Sequence, residues 1–204
     1  MQDMAGRLTV LNDDRLDVLR PVIDARVKAA AELVGEGAFE EFFDRMMRDQ
    51  LVGALAGAHA HEGTVWLLDK ARSALVPRFN SGPNAESFVG SFRQSLREGM
   101  ISMVVATEQP ICENEVRKNQ LQDPTLDEKL GVATCAMLAV PFYFAGELRG
   151  VISAVQLQAA DEAQPEPPGF TVENLHTLQL AASVLARMIE HQLVSLALGR
   201  EEFR

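Results

Sequence analysis

The sequence is short of several things at once, and each shortage argues against a class of function. It holds two cysteines in 204 residues, Cys112 and Cys135. They sit far apart, with no CxxC or Cys/His spacing, so neither a disulfide framework nor a metal site is expected. Positive charge is scarce as well: 19 Lys and Arg stand against 29 Asp and Glu, a net charge of −10. A general nucleic-acid binder needs Lys and Arg to replace counterions along phosphates, and an anionic membrane surface needs the same charge. No nucleic acid or membrane partner is therefore expected. No apolar stretch approaches the ~20 residues that span a bilayer. The opening MQDMAGRLTVLNDD has no basic segment leading into an apolar one, so a signal peptide is not expected and the cytoplasm is the default. Internal repeats, a Gly-rich phosphate loop and a GxSxG elbow are missing too.

What is present reads as one folded α+β domain. An apolar fraction of 47% with 24% charged residues is ordinary for a protein with a full core. From Asp14 to about Ala60 the pattern is helical. Asp14 is a candidate cap, and Leu16, Leu19, Ile23, Val27, Ala30 and Leu33 recur at three- and four-residue steps. Pro21 marks a first helical turn or a kink. Gly35-Glu36-Gly37 breaks the run, and a second amphipathic stretch carries Phe39, Phe42, Phe43, Met46, Met47, Leu51 and Leu55 on one broad face.

The period then changes. Thr64–Asp69 and Ala74–Phe79 are short β-type runs around a polar turn, and Asn80–Asn84 is a loop. Asn84 or Ser87 is positioned to cap a helix reaching about Glu98. Met100–Thr107 reads as a short helix, Gln109–Glu113 as a strand and Asp123–Gly131 as a compact helix with Thr125 as cap candidate. The last third is the clearest. Cys135–Phe144 and Leu148–Leu157 form a hairpin, Gln158–Gly169 a Pro-rich loop, and Thr171 caps a long helix with Leu175, Leu178, Ala182, Leu185, Ile189, Leu193 and Leu196 in one stripe.

At these residues the chain resembles the GAF domain family. Its opening strand is similar to Gly63-Thr-Val-Trp-Leu-Leu-Asp69, and its helix-and-strand motif is similar to Gly99 through Thr107-Glu-Gln-Pro-Ile111. Asp123-Pro124, Asp127, Gly131, Met137-Leu-Ala-Val-Pro141, Gly146 and Gly150-Val151 follow the family's order, and Phe170-Thr171 through Ile189-Glu190 resembles its closing helix. The resemblance implies a bacterial-type GAF fold related to profilin and PAS domains. This is a six-stranded antiparallel sheet with helices on one face, plus an extra N-terminal helix and a long C-terminal helix. The division implied is 1–36 as a helical extension, 37–198 as the GAF-like domain and 199–204 as a tail. It also implies a small-molecule pocket on the other face, roofed by Asn80–Thr107 and Glu113–Gly131. The pocket location points to Arg78, Phe79, Phe92, Met100, Ile101, Cys112, Asn114, Thr134 and Met137 as ligand contacts.

Departures narrow the ligand. Where cyclic-nucleotide members carry Asn-Lys after the returning strand, this chain has Gln156-Leu157, and of their last-helix motif only Phe170 survives. The Cys-rich lid of the methionine-sulfoxide-reducing members is absent, and no cysteine is placed for a bilin. Cyclic nucleotide and bilin are therefore not expected; nor is haem, because the periodicity of the last helix turns His176 and His191 away from the pocket, and no cofactor is assigned.

The chemical candidates are few. Cys112 follows Pro110 at a strand edge, but Glu113 and Glu115 would raise its thiol pKa rather than yield a thiolate. Cys135 lies in an apolar strand. His59 and His61 would suit a metal, yet no third ligand is within sequence reach, and imidazoles near a helix C-terminus also complement its dipole. Asp127 and Glu128 point about 100° apart on a helix, so they read as solvated first-turn acids rather than a dyad. Ser102 and Ser153 have no base nearby. No catalytic residue is assigned.

The helices carry the other clue. A last helix of some 28 residues would run about 42 Å, longer than a small sheet needs for cover. A homodimer is expected from the two stripes, through Leu16, Leu19, Ile23 and Val27 of the first helix and Leu178, Leu185, Ile189, Leu193 and Leu196 of the last. The reading is a regulatory module that binds a small metabolite or a protein partner and signals in trans to an unidentified protein. The alternatives are a thiol-based methionine-sulfoxide-type reductase using Cys112 and Cys135, and a dimerisation scaffold with a filled pocket.

Overall fold

The computed structural model describes residues 14–34, 38–159 and 165–199. The side chain of Leu16, the Gly35–Gly37 break and positions 160–164 of the Pro-rich loop lie outside the described residues. In chain order the helices are α1 (Asp14–Leu33), α2 (Phe39–Phe42), α3 (Arg45–Gly57), α4 (Met100–Thr107), α5 (Thr125–Leu130) and α6 (Val172–Ala197). The strands are β1 (Glu62–Leu68), β2 (Ala74–Asn80), β3 (Gln94–Ser95), β4 (Ile111–Glu113), β5 (Val132–Phe144) and β6 (Glu147–Ala159). They form one six-stranded sheet in the order β3-β2-β1-β6-β5-β4, with every pairing antiparallel.

The β5–β6 hairpin organises this sheet. Its turn, Ala145-Gly146, has φ of 52° and 75°, the two positive values that match a two-residue loop to the twist of its strands. The chain then returns beside β1. A Cβ on Gly150 would sit 1.8 Å from the Trp66 carbonyl oxygen, so only glycine permits the close approach of β6 to β1. Among the described residues three irregularities interrupt the ladders, and at each the register skips one position: Arg78 in β2, Cys135 in β5 and Arg149 in β6. An extra residue re-aims the side chains around it.

Alternation along the strands divides the sheet into two faces. Val65, Leu67, Leu138, Val140 and Ile152 join one core with α1, α3 and α6. Trp66, Leu68, Leu75, Ala139 and Val151 face the opposite way, against Ile101 and Val104 of α4. The expected α+β architecture is the one found, with three large helices on one face and α4 and α5 over part of the other.

Two local expectations fail for identifiable reasons. The stretch from Phe39 to Leu55 is two helices, because the Asp44 carboxylate accepts the Met47 N–H at 2.9 Å and starts α3 afresh. The expected helix from Asn84 to Glu98 is a single 3-10 turn, Ala85–Ser87, followed by β3. Gly90 takes φ of 76° in its middle, a conformation no helix continues through. The last helix behaves as its cap predicts: Thr171 and Asn174 exchange side-chain and backbone hydrogen bonds in a capping box.

The length of α6 has another explanation than the one expected. Leu178, Leu185, Ile189 and Leu193 are at most 1% exposed and belong to the chain's own core. They are unavailable to a second copy, because α1, α3 and β5 already cover that side of the helix. Ile23 and Val27 are half-buried, and Val27 packs on the same core. Of the expected dimer contacts, Leu19 and Leu196 stand open, each 50% exposed.

Candidate functional site

Between the second sheet face and its roof lies a cavity of about 90 Å³. Strand parity builds its floor. Glu62, Thr64 and Trp66 alternate along β1, Ser153, Val155 and Leu157 along β6, and the register sets Thr64 opposite Ser153 and Glu62 opposite Val155. In β5 the extra residue Cys135 lets both Thr134 and Met137 face the cavity. Met100 and Ile101 of α4, Leu126 and Asp127 of α5, and Phe88 with Gln94 close it from above.

The polar groups hold the roof to the floor. Asp127 accepts the backbone N–H of Thr134 and its hydroxyl, both at 2.8 Å, and a longer bond from Gln122. This acid was expected to be a solvated first-turn residue; it is the pin between α5 and β5. Gln94 gives its amide N–H groups to the Glu98 carbonyl and to Asp123 at 3.0 and 2.8 Å. The Trp66 indole N–H donates to the Ser153 hydroxyl at 2.9 Å. Asn80 donates to Thr64 at 2.9 Å, beside Glu62. Burial pushes the Glu62 carboxyl above its ordinary 4.5, a hydrogen bond from the Asn80 amide and the His61 charge oppose that shift, and the Asp127 charge adds to it. Hydrogen bonds led by the Thr125 hydroxyl hold Asp123 below the usual carboxylate range.

The expected ligand contacts divide. Met100, Ile101, Thr134 and Met137 line the cavity. Phe79 does not, because it pairs with Val65 and packs on Phe43 and under Arg48, on the helix-covered face. Arg78 is the extra residue at the adjacent irregularity and is not a lining residue. Phe92 stands one layer out, edge-on to Trp66 with ring centroids 6.2 Å apart. Asn114 is a clamp instead of a ligand contact: it accepts the Phe170 N–H at 2.7 Å and donates to the Phe170 carbonyl at 3.0 Å, fixing the approach to α6. Cys112 is exposed beside the same carbonyl, and burial of its sulfur and the Glu113 charge hold its thiol above the ordinary value. Cys135 is buried, 3.0 Å from an Arg117 nitrogen. His61 accepts the Leu157 N–H at 2.9 Å, a strand-pairing role. Among the described residues no group of three or more His, Cys, Asp and Glu side chains is arranged to hold a metal ion.

Sequence reasoning missed Glu62, Trp66, Gln94, Asp123, Asp127 and Ser153 as cavity residues. One signal was there for β1: Glu62 and Thr64 alternate with Gly63 and Val65 in a strand buried along its whole length. Polar side chains on one face of such a strand must meet something polar. For Asp123 and Asp127 no such signal exists, since helix first turns are acidic for many reasons.

The fold recurs among solved structures. The GAF domain of a phosphoenolpyruvate-protein phosphotransferase from Acinetobacter aligns with a TM-score of 0.57 at 18% identity, over 93% of this chain and 99% of that one. The GAF-B domain of DevS from Mycobacterium smegmatis aligns with a TM-score of 0.55 at 18% identity, over 74% and 96%. The free methionine-R-sulfoxide reductase from Neisseria meningitidis, in complex with its substrate, aligns with a TM-score of 0.50 at 16% identity, over 93% and 98%. No match emerges among curated proteins by sequence. Residues 38–190 match the family described as GAF domain, three-quarters of the chain, and with the sheet order and cavity above the conclusion is that this chain belongs to the GAF domain family.

Proposed function

We propose that this GAF domain is a sensory module that binds a small metabolite in the cavity between its sheet and the α4–α5 roof. It would pass the bound state to a protein partner through a helix-mediated homodimer. The observation that carries the proposal is the cavity itself. The α4 side of the roof packs on an apolar cluster, while side-chain hydrogen bonds at Asp127 and Gln94 tie down the segments beside it. A ligand touching both layers would bias the roof between two arrangements, which is how binding becomes a signal.

Support for the dimer comes from apolar side chains that the chain leaves uncovered. Leu180, Val184, Val194 and Leu198 recur along α6 at 39–67% exposure, and Val18, Leu19 and Val22 on α1 at 49–72%. Exposed apolar side chains repeated along one helix face suit an interaction surface. It replaces the buried stripe as the expected contact, with Leu196 kept from the first reading.

A thiol-reductase reading has less behind it. Neither sulfur lines the cavity, and the Cys112 thiol is shifted away from the thiolate that such chemistry needs. Native mass spectrometry of the purified chain tests the proposal, because it reports stoichiometry and retained ligand together. A dimer that sheds a small-molecule mass on activation supports it. A ligand-free monomer at micromolar concentration overturns it.

A further inference from the structure

We infer that the hairpin end of the sheet carries a second ligand site, which takes a small oxyanion, a carboxylate or phosphate group, on the buried guanidinium of Arg149. This site shares no lining residue with the roofed cavity and does not depend on how that cavity is read.

Strand register makes the site. The β5–β6 ladder pairs Phe142 with Gly150 and Tyr143 with Leu148, skipping Arg149. The Arg149 side chain lies over the Phe144 ring, 5.8 Å from its centroid, and is only 8% exposed. Its Nη1 donates to Glu32 of α1 at 2.7 Å.

The first ground is the other edge of that guanidinium. Nε and Nη2 are buried and make no hydrogen bond with any described residue. Glu147 comes to 3.4 Å from Nη2 without bonding it. A buried N–H with no acceptor is costly, and more so on a charged group. Holding α1 through Glu32 uses Nη1 alone, so that role does not account for this edge. Two adjacent N–H groups form the fork that grips two oxygens of one carboxylate or phosphate.

The second ground is the space and charge beside it. A cavity of about 260 Å³ is lined by Arg149 with Leu67, Leu68 and Phe144. Lys28, Lys70 and Arg72 line it as well, against Glu32, Asp69 and Glu147. Asp69 is already engaged by Ser73, the Ala74 N–H and Arg93, none of which lines the cavity. Four cations thus share two carboxylates, in a chain of net charge −10. The same surplus shows at Glu147, whose carboxyl is held below its usual range by the Lys28 hydrogen bond and then by the Arg149 charge.

Both free N–H groups are covered in this structure, so an arriving anion takes the place of the Glu147 carboxylate. Glu147 suits the exchange: it is 34% exposed, opens β6, and its other oxygen pairs with Lys28 of α1. Occupancy is therefore felt by α1.

The Arg149 Nε–H resonance reports the site directly. The full chain is titrated at pH 7 with inorganic phosphate and with acetate, using chloride at matched ionic strength as control. A saturable shift with phosphate or acetate and none with chloride supports the inference, and the stronger of the two probes names the group. Glu147→Gln keeps the shape and removes the competing charge, so it should tighten the better probe about tenfold or more. No saturable shift with either oxyanion, an equal response to chloride, or unchanged or weaker binding in E147Q would each overturn it. The wild-type series needs no variant, so it decides the matter even if E147Q fails to fold.

Discussion

The two faces of the sheet are built from the same strands and obey different rules. On the helix-covered face Leu138, Val140, Phe142 and Ile152 are at most 1% exposed, and the layer is closed by α1, α3 and α6. On the roofed face Thr64, Thr134 and Ser153 are nearly as buried, yet they are polar and border a void. Strands a single residue out of phase thus serve a packed core on one side and a site on the other. The difference teaches that burial alone does not locate function. A buried polar group beside unfilled space does.

Neighbouring residues make the sharpest test. Leu138 and Met137 are adjacent in β5 and point to opposite faces. Leu138→Ala should cost about 2–5 kcal/mol in urea unfolding, because a closed core relaxes little around a new cavity. Met137→Ala should cost clearly less, since Met137 already borders open space. Equal losses would erase the distinction between the faces.

A smaller effect runs the opposite way. Burial raises the Glu62 pKa in the folded state above 4.5, so its contribution to stability is full below that pH and is lost as pH rises through the folded pKa. E62Q should therefore melt higher than wild type at pH 7 and equal to it near pH 4. A melting point lowered at pH 7 would mean that the Asn80 bond and the His61 charge outweigh the cost of burying Glu62.

Outside both faces, substitutions should leave stability nearly untouched. Leu180→Glu with Val184→Glu, at exposed α6 positions, should change unfolding free energy by no more than about 0.5 kcal/mol per site. Light scattering should nonetheless report a shift from dimer to monomer, and a persistent dimer would move the interface elsewhere.

The smallest effect sits at the far end of the roofed face. The single tyrosine, Tyr143, donates to Glu108 at 2.6 Å, just past the end of α4. Burial of the phenol and the adjacent Glu108 carboxylate push its pKa up to about 12. What this contributes to stability is present below pH 10 and fades as pH rises toward 12. Absorbance titration at the phenolate band reads it directly, and an ordinary midpoint near 10 would show the contact to be absent in solution.

Much of this was legible beforehand, unevenly. The hairpin, with Val140-Pro141 and Gly150-Val151, and the capped last helix were readable because alternation, turn residues and caps are local signals. The stretch from Asn84 to Glu98 was not, since a capping residue and polar sequence suit a helix as well as a loop, and Gly90 decides between them by a backbone angle. Phe79 was misplaced on its face because an irregularity between Val65 and Trp66 breaks the alternation just there. The surplus of α6 was real as a pattern, but α1 and α3 absorb most of it within one chain.

The sequence by itself determined the family, the sheet-and-helix order and the absence of strong cationic or metal-binding motifs, because each is written in spacing or composition. Only the tertiary structure decided which acids share a cavity. Glu62 and Asp127 are 65 positions apart, and nothing in their neighbours announces that they meet. That encounter depends on strand register, on the extra residue Cys135 in β5 and on the Asp127–Thr134 bonds that draw α5 over the sheet. These are long-range packing outcomes, and no local pattern encodes them.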